Sequence, residues 1–312
     1  MISCNSAPQS EASTTLEQFA DLKVIQYEIP GFEQLSLKQK KLVYYLSQAG
    51  LEGRDIMYDQ NYRHNLSIRI AFENIYQNYT GDKTTALWGH FENYLKRLWF
   101  SNGIHHHYAN DKFDPEFTAE ELNMLMEATN TSLDPLAFEA IFSDADSKKV
   151  NRDPKLDVIQ HSAINFYAPD VTQAEVENYY KQVEIENPER PISMGLNSTL
   201  VKENGQLVEK VWKVGGLYSP AIERIVGWLE KAKTVAENEQ QAEAFSLLID
   251  YYKTGDLKIW DDYSIAWVKT LEGDIDYNNA YIEVYNEPPG YIKSIESIVQ
   301  NKEFNMRKKM QL

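Results

Sequence analysis

The amino-acid sequence predicts an α+β fold, mostly helical with a small antiparallel sheet. Three observations point to it. Apolar residues recur at the 3.6-residue spacing of helices in several segments. Thr118 with Glu121 and Thr172 with Glu175 have the form of helix-starting capping boxes. Asn204-Gly205, a strong hairpin dipeptide, separates two runs of strand character.

In chain order, residues 1–18 are rich in Ser, Thr, Ala and Gln and read as a flexible leader. Structure is expected from Phe19. A strand over Leu22–Ile29 ends at Pro30-Gly31. Ser36 caps a helix from Leu37 to Ala49, with Gly50 as the stop. Further helices are expected over Gly53–Asp59, Leu66–Tyr79 and Thr85–Phe100. In the last of these Leu87, Phe91, Tyr94, Leu95 and Leu98 make one face. Short helices follow Thr118 and Thr172, the second reaching Val183. Strands over Leu196–Glu203 and Gln206–Lys213 form the hairpin. Ser219-Pro220 opens a helix with Ser219 as N-cap, and Ile222, Ile225, Val226 and Leu229 as its buried stripe. Helices over Glu239–Lys253 and Tyr263–Leu271 complete the series.

The chain has 312 residues, 43% of them hydrophobic, enough to bury a sizeable core. Its net charge of −16 argues against nucleic acid, which needs concentrated Lys and Arg. No apolar run approaches the roughly 18 residues of a membrane span. The single cysteine, Cys4, excludes an intrachain disulfide. Met1-Ile2-Ser3-Cys4 has the form of a bacterial lipoprotein cleavage site, with a polar tether after it, so Cys4 is a candidate for lipidation. Membrane contact is expected only through that lipid. Absence of disulfides fits the cytoplasm and the Cys4 context fits the periplasmic side, so the compartment stays open.

A zinc peptidase needs two neutral imidazoles, a carboxylate and a general base. The six histidines are His64, His90, His105, His106, His107 and His161, and none is followed by Glu, so no HExxH or longer variant is present. His105 and His107 could point to one side and share a metal; alternatively the triplet lines a loop or cleft. No metal ligand is assigned in this chain. There is no nucleophile elbow, phosphate loop or dinucleotide fingerprint, and the acidic pairs are too many to single out a glycosidase.

Four stretches carry a resemblance to a known family: residues 19–61, FADLKVIQYEIPGFEQLSLKQKKLVYYLSQAGLEGRDIMYDQN; residues 94–108, YLKRLWFSNGIHHHY; residues 195–238, from GLNSTLVKENGQLVEKVWKVGG onward; and residues 280–290, AYIEVYNEPPG. In this order they resemble dipeptidyl peptidase III, over residues 19–300, leaving 301–312 as a divergent tail. The resemblance implies two lobes around a cleft. The upper lobe carries zinc on an HExxGH motif, and the lower lobe includes a small, here partial, β-barrel. The family's enzymes release dipeptides from the free amino end of short peptides. By the same resemblance Glu283 would take the substrate ammonium, Tyr285 would hydrogen-bond beside it, and His107 and Tyr108 would face the cleft. The usual anchor is close to Glu-Ser-Tyr, a polar residue, Asp-Pro, an apolar residue and Gly. This chain departs from it at Val284, Glu287 and Pro289.

The zinc motif is missing, so the expected role is the substrate-binding portion of such an enzyme, inactive without a catalytic half as partner. A non-catalytic peptide-binding protein is the alternative. Zinc belongs to the complete family enzyme and no cofactor is assigned to this chain.

Overall fold

The computed structural model describes residues 14–186 and 193–302, with side chains left aside over 184–186. Cys4 and the tail beyond Lys302 lie outside the described residues. The α+β class is what the chain adopts: ten helices and three two-stranded antiparallel ladders among the described residues.

The first ladder pairs β1 (Thr15–Phe19) with β2 (Leu22–Ile25). A strand is thus already present four residues before the expected start at Phe19. The segment looks like a leader because most of its side chains face water; the hairpin is tied down at Glu17, which pairs with Lys96 at 2.6 Å. β2 stops at Ile25 rather than Ile29, with Gln26 N still donating to Thr14 O at 2.8 Å.

Helix α1 (Leu37–Glu52) starts at the reciprocal Ser36/Gln39 capping box. It runs through Gly50 instead of stopping there. A Cβ at Gly50 would sit 2.4 Å from Ser297 Oγ, so this glycine serves close packing, and Gly53 is the C-cap. Then come α2 (Arg54–Asn61), α3 (Asn65–Asn78) and α4 (Ala86–Ser101). α5 (Ala119–Ala128) carries the expected capping box. α6 (Pro135–Phe142), unpredicted, has Asp134 as N-cap and Pro135 in its first turn. In α7 (Gln173–Glu186), Thr172 and Glu175 exchange the bonds of the second box.

β3 (Ser198–Glu203) and β4 (Gln206–Val211) turn at Asn204-Gly205, both at positive φ, as a two-residue hairpin requires. α8 (Ser219–Thr234) corrects one expectation: its N-cap is Tyr218, in the left-handed region, and no side chain caps it. Ser219 instead accepts from Gly215 N and donates to Glu223. α9 (Glu239–Thr254) matches expectation. α10 (Leu257–Val268) begins six residues before the predicted Tyr263, because Asp256 caps it.

The sequence reading missed the last ladder, β5 (Ile275–Glu283) with β6 (Ser294–Asn301). Ile275, Tyr277, Asn279 and Tyr281 all face inward. Asn279 interrupts the apolar alternation, yet it is 2% exposed, accepting from Tyr252 OH at 2.8 Å and donating to Ser297. Two apolar cores result. One joins α1, α7 to α10 and the ladders β3–β4 and β5–β6; the other lies among α2 to α6.

Candidate functional site

Glu283 closes β5 at a bulge: pairing shifts between Tyr281 and Glu283, and Glu283 faces Ser294. A bulge re-aims side chains at a strand end. Here it brings the Glu283 carboxylate within hydrogen-bonding reach of Glu296 on β6. Partial burial first, then the charge of Glu283, raise Glu296 above the ordinary carboxylate range, and Asn278 Nδ2 donates to Glu296 at 2.8 Å. Two adjacent carboxylates repel, and a proton or a bound cation relieves the repulsion. Val284 and Tyr285 beyond the bulge are exposed, Tyr285 at 76%.

The loop after Tyr285 is fixed by Glu287, a departure from the family's usual Asp. Its carboxyl is 3% exposed and accepts from Tyr167 OH and from Gly290 N. Burial pushes it up to about 6, against the hydrogen bonds that pull it down. Pro289 is therefore accommodated in a turn that Glu287 closes on Gly290, which sits at φ 90°.

The second segment is the loop after α4. Asn102, left-handed, caps the helix, and Gly103 at φ 147° lies so close to Asn65 that a Cβ would be 2.1 Å from its Nδ2. Buried Asn65 holds the loop by accepting from Ile104 N at 3.1 Å and donating to Tyr58 O. Of the histidines, His105 turns inward. It is 2% exposed, edge-on to Tyr62, and bonded through Nε2 to Asp146 O at 2.7 Å. Burial lowers its pKa to about 4, so it stays neutral. His106 Nδ1 accepts from Tyr108 N and Ala109 N, which leaves Nε2 to donate to Asp21. His107 stacks on His106, ring centroids 4.5 Å apart, and meets the Tyr108 ring at a tilt of 48° and 4.3 Å. Tyr108 is 83% exposed.

The triplet therefore splits into one core ring and a stacked wall. No three His, Cys, Asp or Glu residues converge as metal ligands among the described residues. The described donors do not fit a zinc centre, and no catalytic step is derived from them.

A polar relay joins the two segments: Asn286 donates to Asn61, and Asn61 donates to Asn102 O at 3.0 Å. Among the described residues no hydrogen bond links Glu283 or Tyr285 directly to His107 or Tyr108. A cleft of about 460 Å³ touches both neighbourhoods. Gly50, Gly53, Arg54, Met57 and Asn102 line it together with the β6 residues Ile295 to Ser297 and Val299, and Gly50 and Gly53 lie directly against Ser297 and Ile295. Ile295 N turns outward to Gln60 Oε1, so strand parity turns the backbone of Ser297 and Val299 the same way, toward the edge of β6 that pairs with no strand among the described residues. A second, more apolar groove of about 380 Å³ runs between Trp260 and Trp267 of α10 and Asn278, Ile282 and Ile298. Glu296 and its donor Asn278 thus border one concavity each. Sequence reasoning missed Glu296, Asn61 and Asn65, which carry no motif. Recognising β5 and β6 as a hairpin would have exposed Glu296 as the neighbour of Glu283. Among the described residues no helix is long and apolar enough to cross a membrane.

The sequence profile of peptidase family M49 matches residues 149–311, a span that includes Glu283 and Tyr285 but not His107 and Tyr108. The fold is similar to that of DPP III from Caldithrix abyssi, at 18% identity and TM-score 0.61, covering 91% of this chain and 43% of that one. It is also similar to dipeptidyl-peptidase III from Corallococcus sp. strain EGB, at 13% identity and TM-score 0.61, covering 92% and 43%. The chain thus spans 43% of the length of these structures, and at such identities the likeness concerns the fold. No curated protein matches the sequence.

Proposed function

The chain belongs to peptidase family M49, and from that premise we propose that it forms the substrate-binding portion of a dipeptidyl peptidase III-like enzyme, holding short peptides by their free amino end. The observation that carries this reading is the Glu283–Glu296 pair. A raised carboxylate beside a second one is an electrostatic deficit that a peptide ammonium fills, with the charge-assisted hydrogen bonds that make such contacts strong. Exposed Tyr285 stands two residues beyond Glu283, available to the same ammonium. Beyond Ile295, whose N–H is taken by Gln60, the β6 edge that borders the 460 Å³ cleft pairs with no strand among the described residues and is proposed to supply backbone groups to an extended peptide, the mode by which strand edges commonly take peptides. The adjoining rings of His107 and Tyr108 form a further aromatic surface for residues downstream.

Zinc chemistry, and cleavage with it, is assigned in this reading to residues other than the described ones, in a catalytic partner portion. The anchor assignment is tested by titrating a tetrapeptide into wild type and Glu283→Gln. A hydrogen bond to a charged group is worth about 1.5–3 kcal/mol, so affinity should fall roughly ten- to hundredfold. Unchanged affinity would remove Glu283 from the role.

A further inference from the structure

One cavity plays no part in the site above. It measures about 190 Å³ and is lined by Arg63, His64, Asp146, Ser162 and Tyr167, among others. Ordinary ligand pockets run to roughly 300–1,000 Å³, so an occupant here is small. Arg63 brings a positive charge to this wall, one that also favours the charged form of Asp59 without forming an ion pair with it. Its Nε is buried without a hydrogen bond, and among the described residues no carboxylate lies within ion-pair distance. A guanidinium that lines a cavity without an ion-pair partner leaves its charge to a ligand carboxylate, a pairing with strong charge-assisted hydrogen bonds.

Asp146 supplies the opposite charge on the same cavity. Its backbone is held at φ 51°, a conformation that costs a non-glycine residue free energy. Two bonds fix it there: the carbonyl accepts from His105 Nε2, and Oδ2 accepts from Tyr62 OH at 2.9 Å. The second carboxylate oxygen has no partner among the described residues. His64 adds no second positive charge, because burial and the neighbouring Arg63 hold its ring below the usual histidine range. Ser162 Oγ is already engaged, accepting from Asn151 N and donating to Val158 O.

A guanidinium and a carboxylate thus border one small cavity without pairing with each other. A simple anion entering it meets Asp146, and a simple cation meets Arg63. We propose that this cavity binds a free α-amino acid as the zwitterion, with its carboxylate on Arg63 and its ammonium on Asp146. The site adjoins the anchor loop, because Tyr167 on its wall also holds Glu287.

The test is calorimetric titration of the full chain with alanine, and with acetate, methylammonium and inorganic phosphate as single-charge probes. Alanine should bind saturably and the other three at least tenfold more weakly. Arg63→Met and Asp146→Asn should each weaken alanine tenfold or more. Asparagine still accepts from Tyr62, so Asp146→Asn should keep the wild-type melting temperature and remains informative if Arg63→Met unfolds. Binding should persist in Glu283→Gln. Acetate or phosphate binding as well as alanine, loss of alanine binding in Glu283→Gln, or no saturable binding would each overturn the proposal.

Discussion

Glu287 fixes the loop after Tyr285, and its burial makes a pH-dependent contribution that can be isolated. The group sits at about 6 in the folded chain against an ordinary 4.5. The folded state thus holds the proton more tightly than the unfolded one. Its contribution to stability is fully present below pH 4.5 and is lost as pH rises through 6. The shift of about 1.5 units corresponds to roughly 2 kcal/mol between pH 4 and pH 7.5. Glu287→Gln removes the titration. It keeps one acceptor for Tyr167 but turns a donor toward Gly290 N, at a cost of about 1–3 kcal/mol at low pH. The variant should therefore be less stable than wild type at pH 4 to 5. That deficit should shrink by about 2 kcal/mol at pH 7.5. Urea denaturation of both proteins at several pH values measures the difference, in which all other titrating groups cancel. A deficit that stays constant across pH would refute the assignment.

Other outcomes follow from the same geometry. Gly103→Ala adds an atom 2.1 Å from Asn65 Nδ2 at a strained φ; a loss of about 2–4 kcal/mol is expected, with weaker peptide binding, and a wild-type melting temperature would contradict it. Gly50→Ala should destabilise by about 1–3 kcal/mol despite alanine's helix propensity, because Ser297 Oγ occupies the space, and a stabilised variant would count against the packing of β6 on α1. His105 should remain neutral down to about pH 4, as followed by its ring carbon–proton signals. Its folded pKa lies below the unfolded 6.5, so its contribution is present above pH 6.5 and declines as pH falls toward 4. A ring titrating near 6.5 would place it outside the core.

How much of this was legible in the sequence depended on local chemistry. Helices bounded by side-chain caps, such as those at Ser36, Thr85 and Thr118, appear where expected, because the signal and the structure are the same hydrogen bond. The Asn204-Gly205 hairpin was equally plain. Signals whose meaning is tertiary misled: Gly50 looked like a stop and is a packing contact, while Ser219 looked like a cap and bonds Gly215 and Glu223. The Asp134-Pro135 start of α6 was visible and went unused. β5 hid its alternation behind Asn279, whose partners are far away in sequence. Glu283 is proposed as a site residue from its segment alone. Glu296, the residue that gives the site its electrostatic character, needed the register of β6 against β5.

Recognition of a free amino terminus is the role proposed for Glu283 and Glu296. The direct measurement compares one tetrapeptide with its amino-acetylated form, titrated into the wild-type chain at neutral pH. Acetylation removes the ammonium and leaves every side chain in place, so the free peptide should bind at least tenfold more tightly. Equal affinity for the two forms would contradict the claim and leave the Glu283–Glu296 pair without a substrate role.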